Sequence, residues 1–306
     1  MRISDTIHKN YGDIQSHYIT RNLIGALRNI LRERITKYAF VVLVFILLIG
    51  LFGPMVAPHE YNEQHRTEGG ELNRLDSPSM DHWLGTTQRG EDVFTRVLYG
   101  AQPTVLVGFV GGFLIIGIGA TVGITAGYVG GRSEAVLMRF VDFIYGVPLI
   151  PTALVLLAVF GAGFWSVVLI IGLILWRGSA RVLRSQVLQI KERPFIQAAR
   201  ATGASSTRIV FKHILPNIAS MAILFFALGV GLAIIKQAGL AFLGVTNPFV
   251  PSWGIMIRNA YQSGFVMRAW WWSFPPGILI GVTVLSTFLL GRGYESASGA
   301  DLESQM

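Results

Sequence analysis

Six apolar runs decide what this chain can become. They are Tyr38 to Val56, Val105 to Tyr128, Val136 to Phe160, Phe164 to Trp176, Ile218 to Leu243 and Phe274 to Leu290. An α-helix needs ~20 apolar residues to cross a bilayer, and a segment in lipid must satisfy its backbone N–H and C=O groups within itself. The runs therefore predict an all-α integral membrane protein with six transmembrane helices. The fourth run is short and must borrow apolar length from either side. With 52% hydrophobic and 14% charged residues, the chain is too apolar for an ordinary soluble domain. The first run follows 37 residues carrying seven Lys or Arg and outlasts the apolar part of a secretory signal, so it reads as a retained anchor.

Within these runs a few residues carry information beyond hydropathy. Gly119, Gly123, Gly127 and Gly131 recur every four residues, which predicts a stripe where another helix backbone approaches closely. Arg139 and Asp142 stand three apart and are expected to pair on one helix face near the membrane surface. Pro148 and Pro151 predict a kink or broken turn in the third run. Lys236 and Gln237 fall late in the fifth run, where the lysine is placed to snorkel to the interface. Trp253, Trp270, Trp271 and Trp272 lie between the fifth and sixth runs, a composition suited to the membrane–water boundary.

The positive residues set the orientation. With six spans, both ends share a side, and that side receives eighteen of the twenty-five Lys and Arg, against six opposite. The positive-inside rule then places both termini in the cytoplasm. This explains the net charge of +8 without nucleic acid as a partner. The expected organisation is a cytoplasmic segment 1–37, lying on the membrane surface as an amphipathic helix or partly disordered, and a first transmembrane helix 38–56. An external segment 57–104 comes next, with eight acidic residues and a short helix after Arg89-Gly90-Glu91-Asp92. A five-helix core 105–292 contains a cytoplasmic loop 177–217, and 293–306 form a cytoplasmic tail.

The polar interruption Glu192 to Asn217 reads as two short helices. Pro194 suits a first helical turn, where its missing N–H is no loss, and the alanines after Phe195 favour helix. Gly203 stands where a helix ends in a left-handed residue. Ser205 or Ser206 is placed to cap a second helix from Thr207 to Ile214, and Pro216 opens the next segment. Held between spans and basic through Arg200, Arg208 and Lys212, this element is expected to meet a soluble partner.

The same residues exclude chemistry. The chain has no cysteine, no GxxxxGK[ST] phosphate loop, no HExxH or paired histidine spacing for a metal, and no Ser/His/Asp set. It reads as a pore-forming or scaffold subunit rather than an enzyme, with no cofactor of its own and its energy supplied by another protein.

Gln197-Ala198-Ala199, Gly203, His213 and Leu215-Pro216, at their spacing, resemble the EAA loop of inner-membrane permease subunits of binding-protein-dependent ABC importers. HWLGTTQRGEDVFTRVLYGAQPT (82–104) is similar to the external GTDxxGRD segment of dipeptide and oligopeptide permeases, and GLAFLGVTNPFVPSWGIMI (239–257) to their SLSFLG…PPxPSWG segment. The resemblance spans nearly the whole chain and fits the C-type subunit. It implies a multi-pass protein of a prokaryotic inner membrane that works with a second homologous permease subunit, two cytoplasmic ATPases that bind ATP and Mg, and an extracytoplasmic solute-binding protein, surrounded by lipid. It implies further that Gln197, Ala198, Ala199, Gly203, His213, Leu215 and Pro216 dock the ATPase. Gln197 replaces the usual glutamate, and Lys236-Gln237, which the resemblance places beside the translocation pathway, replace an apolar residue and a glutamate. Peptides are the implied substrate, with nickel or a glutathione-like solute as alternatives within the family. From another class, the competing reading is a stand-alone secondary transporter or channel.

Overall fold

The computed structural model describes residues 33–303, and every regular element of length is helical. The expected N-terminal segment falls outside the described residues except for its last few positions. Four helices are long and apolar enough to cross a membrane: α1 (Arg34–Val56), α2 (Val93–Val129), the continuous helix Ser206–Leu243, and α11 (Trp270–Glu303), tested over Trp270–Ser296. Two bent pairs bring the number of candidate spans to six: α3 (Gly131–Gly146) with α4 (Leu149–Phe160), and α5 (Phe164–Leu175) with α6 (Arg177–Lys191).

Several boundaries differ from the sequence reading for physical reasons. α2 begins at Val93, twelve residues before the apolar run, because Asp92 caps it by accepting from Thr95 N at 2.7 Å. The short helix expected after Arg89 is thus the start of a 37-residue helix. The third run breaks as its prolines predict, turning through 86° where Pro148 precedes α4, since proline disfavours helix in the residue before it. The fourth run continues beyond Trp176, with a 41° bend, into a basic helix that had read as loop.

Glycine positions show how the helices pack. A Cβ on Gly123 would lie 2.5 Å from Ala180 O, and one on Gly127 would lie 2.8 Å from Val187 Cβ. Gly119 faces Trp176 and Ser179. The expected glycine stripe therefore packs α2 against α6 through three of its members. The fourth, Gly131, opens α3 at φ +59° with nothing near it. Residue numbers rise together along this contact, so α2 and α6 run parallel. α1 packs antiparallel on α2 (Gly50 by Val105, Gly53 by Leu98), and so does the Ser206–Leu243 helix (Gly108 by Ile234, Gly112 by Phe226). α11 returns antiparallel to that helix, with Gly231 by Val284 and Gly291 by Leu224.

The expected Arg139–Asp142 pair does not form. α3 lies along α6, so Asp142 instead pairs with Arg181 at 2.7 Å and Glu134 takes Arg184. Most of the tryptophans turn into the protein. Trp253, Trp271 and Trp272 are buried in one core cluster, with Trp270 exposed. Trp253, at the start of α10 (Trp253–Gln262), donates its Nε1 proton to Val97 O at 3.0 Å, in space left by Gly100. Trp271 Nε1 donates to Thr86 O at 3.3 Å.

Candidate functional site

α7 (Pro194–Ala201) begins with Pro194 at its first position and ends at Gly203, φ +78°. Gly203 N donates to Arg200 O at 2.9 Å and Ala204 N to Ala199 O at 3.0 Å. This is the paired closing pattern that ends a helix on a left-handed residue. Ser205 caps α8 (Ser206–Ile209), accepting from Arg208 N at 3.3 Å. The second short helix does not stop at Ile214. It widens into a π turn, Val210–Ile214, and continues as α9 (Leu215–Leu243). Pro216 accounts for the widening. Its ring crowds the carbonyl four residues back and it donates no hydrogen bond. Just before it, Leu215 N reaches five residues back to Val210 O, and Asn217 Nδ2 donates to His213 O at 2.6 Å.

One side of this element is buried and the other faces outward. Ile196, Ile209, Ile214 and Ile218 pack with Leu183 and Val187 of α6 and against Ile116, Ala120 and Ile124 of α2. Gln197, Ala198 and Gly203 are exposed, Ala199 and His213 half-buried. An open concavity is lined by Ala198, Ala199, Gly203, Arg208, Lys212 and His213. Gln197 lies beside it, its Nε2 donating to Glu192 O at 3.3 Å. Leu215 and Pro216 are exposed at the start of α9, outside the concavity. The surface is basic and shallow, with small side chains at its floor. It suits a protein partner rather than a small molecule.

Lys236 and Gln237 stand far away on α9, about 30 Å further along at 1.5 Å per residue. Lys236 is half-buried. Gln237 is 5% exposed, its Oε1 has no hydrogen-bond partner, and it lines a narrow cavity with Pro103, Val107, Thr246 and Ser252. The candidate residues thus form two groups and not one site.

The segment between α1 and α2 contains an arrangement that linear spacing hides. His59, His65 and His82 converge, with ring centroids 4.3 Å apart for the first two and 4.6 Å for the last two. Burial, followed by the neighbouring His59 and His82, holds the His65 imidazole below its usual pKa. Nearby, Arg96 pairs with Glu91 at 2.8 Å and lies over the Tyr61 ring at 4.2 Å. Burial pushes the Tyr61 phenol pKa up, partly offset by Arg96. The available sequence signal was three histidines within one polar segment, and no motif of fixed spacing describes it.

Residues 119–296 match the family of binding-protein-dependent transport system inner membrane components, and residues 24–72 match the N-terminal transmembrane domain of oligopeptide transport permease C. Over 274 residues, 89% of this chain and 83% of the relative, the sequence is 34% identical to the dipeptide transport system permease protein DppC of Bacillus subtilis. It is 31% identical to the oligopeptide transport system permease protein OppC of the same organism, over 87% of each chain. It is 32% identical to the glutathione transport system permease protein GsiD of Pectobacterium atrosepticum, over 90% of each. A family match across more than half the chain, with relatives aligned over most of their length, makes this protein a member of the binding-protein-dependent transport system inner membrane component family, a transport permease and not an enzyme.

Proposed function

We propose that this chain is the C-type permease subunit of an ABC importer for short peptides, and that its 194–216 surface is where a cytoplasmic ATPase docks. The observation that carries the docking reading is the two-sidedness of that surface. Its outward face is small, basic and concave, while its inward face is fixed by Ile196, Ile209 and Ile214 to α2 and α6. A push on the outside therefore reaches two spans directly. Permeases of this kind lack a nucleotide site of their own, so ATP and Mg belong to the partner. A second permease subunit and an external solute-binding protein complete the assembly.

The parallel packing of α2 and α6 supports six crossings. A chain that leaves α2 at Val129 must return to the opposite end before Phe164, and only α3 and α4 lie between. With the basic 177–217 element inside, both ends of the described chain lie in the cytoplasm and residues 57–92 outside. The peptide reading rests on the relatives, which are named for dipeptide, oligopeptide and glutathione transport. Glutathione is itself a tripeptide, and a solute of that kind is the second reading.

Gly203 provides the test. A Cβ there would meet nothing within 4 Å, so a substitution acts through φ alone. A side chain in the left-handed region costs about 1–2 kcal/mol, less for Asn and more for a β-branched residue. Gly203→Val is expected to abolish ATPase co-purification and peptide uptake, with Gly203→Asn retaining both. If Gly203→Val transports peptide and holds its ATPase like the parent, the docking assignment is wrong.

A further inference from the structure

We propose that His59, His65 and His82 bind a divalent transition-metal ion of the zinc type, which ties the end of α1 to the start of α2 on the external face. The three residues are six and seventeen positions apart and are brought together by the turns of the external segment. His65 N donates to Gly90 O at 2.8 Å, Asn73 N donates to His65 O at 2.9 Å, and an antiparallel bridge joins Thr86 to Asp92. One ligating nitrogen from each histidine lies within 4.8 Å of the other two. Zinc at its usual distance from imidazole draws such atoms to about 3.4 Å from one another, a closure within reach of small ring rotations.

The competing reading is an aromatic cluster packed edge to face. Three observations favour ligation. His82 Nδ1 lies 2.9 Å from Asp92 Oδ2, and a carboxylate there requires the nitrogen to donate, leaving Nε2 with its lone pair free. His59 Nδ1 lies 3.8 Å from Glu63 Oε2, a second carboxylate behind a second ring. Carboxylates behind histidines orient metal ligands and raise their basicity. His65 Nε2 is buried with no hydrogen-bond partner, a placement that a bound cation would satisfy.

The donor set selects the class of ion. Three neutral imidazoles without thiolate suit zinc, copper or nickel and not magnesium or calcium. Three protein ligands leave a fourth position for water, on the side of His59, whose side chain is 27% exposed. Asp92 links the ion to the helix, because its other oxygen caps α2 at Thr95 N. Asp92 is a positioning residue here, and asparagine at that position keeps the cap.

The test uses the full-length chain, without an oligohistidine tag, in nanodiscs. We expect one zinc per chain, and a cobalt-loaded form whose visible absorption is that of a four- or five-coordinate ion. His59→Ala, on the exposed rim and least able to disturb the fold, should weaken zinc binding at least about 100-fold, as should His65→Ala and His82→Ala. Asp92→Asn should weaken it about 10- to 100-fold with stoichiometry unchanged. A chelator should lower the Tm of the parent and leave that of His59→Ala unmoved. Failure of the parent to take up zinc, binding that survives loss of the three histidines, or a parent Tm indifferent to chelation would each overturn the assignment.

Discussion

Arg96 shows how much a single side chain near the start of α2 can hold. It pairs with Glu91, both partners under 10% exposed, and its guanidinium donates to Tyr61 Oη at 2.8 Å and lies over that ring. Thr87 donates its hydroxyl proton to the other Glu91 oxygen at 2.9 Å. Removing one member of a buried pair strands the other's charge and costs about 3–5 kcal/mol, whereas replacing both is far milder. Arg96→Met is therefore expected to lower Tm sharply in a tryptophan-fluorescence melt in detergent, with Glu91→Gln added to it restoring most of the loss. Equal damage from the single and double variants would show that the arginine acts by packing alone.

Among the elements, the α2–α6 contact is the one most sensitive to added bulk. A Cβ at Gly123 would sit 2.5 Å from Ala180 O and 3.1 Å from Arg184 N, both backbone atoms that cannot rotate away. Gly117, on the same helix, has nothing within 4 Å. Gly123→Leu is expected to destabilise by at least the ~1–3 kcal/mol of an overpacked core, and Gly117→Leu to change stability by less than ~0.5 kcal/mol, a contrast that thermal inactivation of the two variants measures. The four-residue glycine period was readable in the sequence because it is local. Its partner was not, because the arginines of α6 hide in the sequence the small and apolar face, Ser179, Ala180, Leu183 and Val187, that packs on α2. The same division holds at the candidate surface. Pro194, Gly203 and Ser205 act on the backbone within a few residues of themselves and were legible. The π turn before Pro216 depends on how one helix runs into the next. The histidine cluster depends on turns that no spacing rule describes.

For the whole molecule, sidedness is the property that most needs measurement, and the sequence lends itself to it because the chain has no cysteine. Met80, 91% exposed between α1 and α2, and Ser206, exposed at the start of α8, are suitable positions for a single thiol. A membrane-impermeant maleimide should label Met80→Cys in intact cells and Ser206→Cys only after the membrane is opened. The reverse pattern would invert the proposed orientation. The helix Ser206–Leu243 runs 38 residues without a break, which makes it about 57 Å long in a membrane whose hydrocarbon is ~30 Å thick. On the docking proposed above, a rod of that proportion would work as a lever with its fulcrum in the lipid. Tilting it by about 10° swings each end through about 5 Å in opposite senses. With an ATPase docked where we propose, Arg208 and Lys212 would lie on the effort arm and Gln237 on the load arm. The π turn Val210–Ile214 lies beside that arm and would be the joint at which such a push is first taken up.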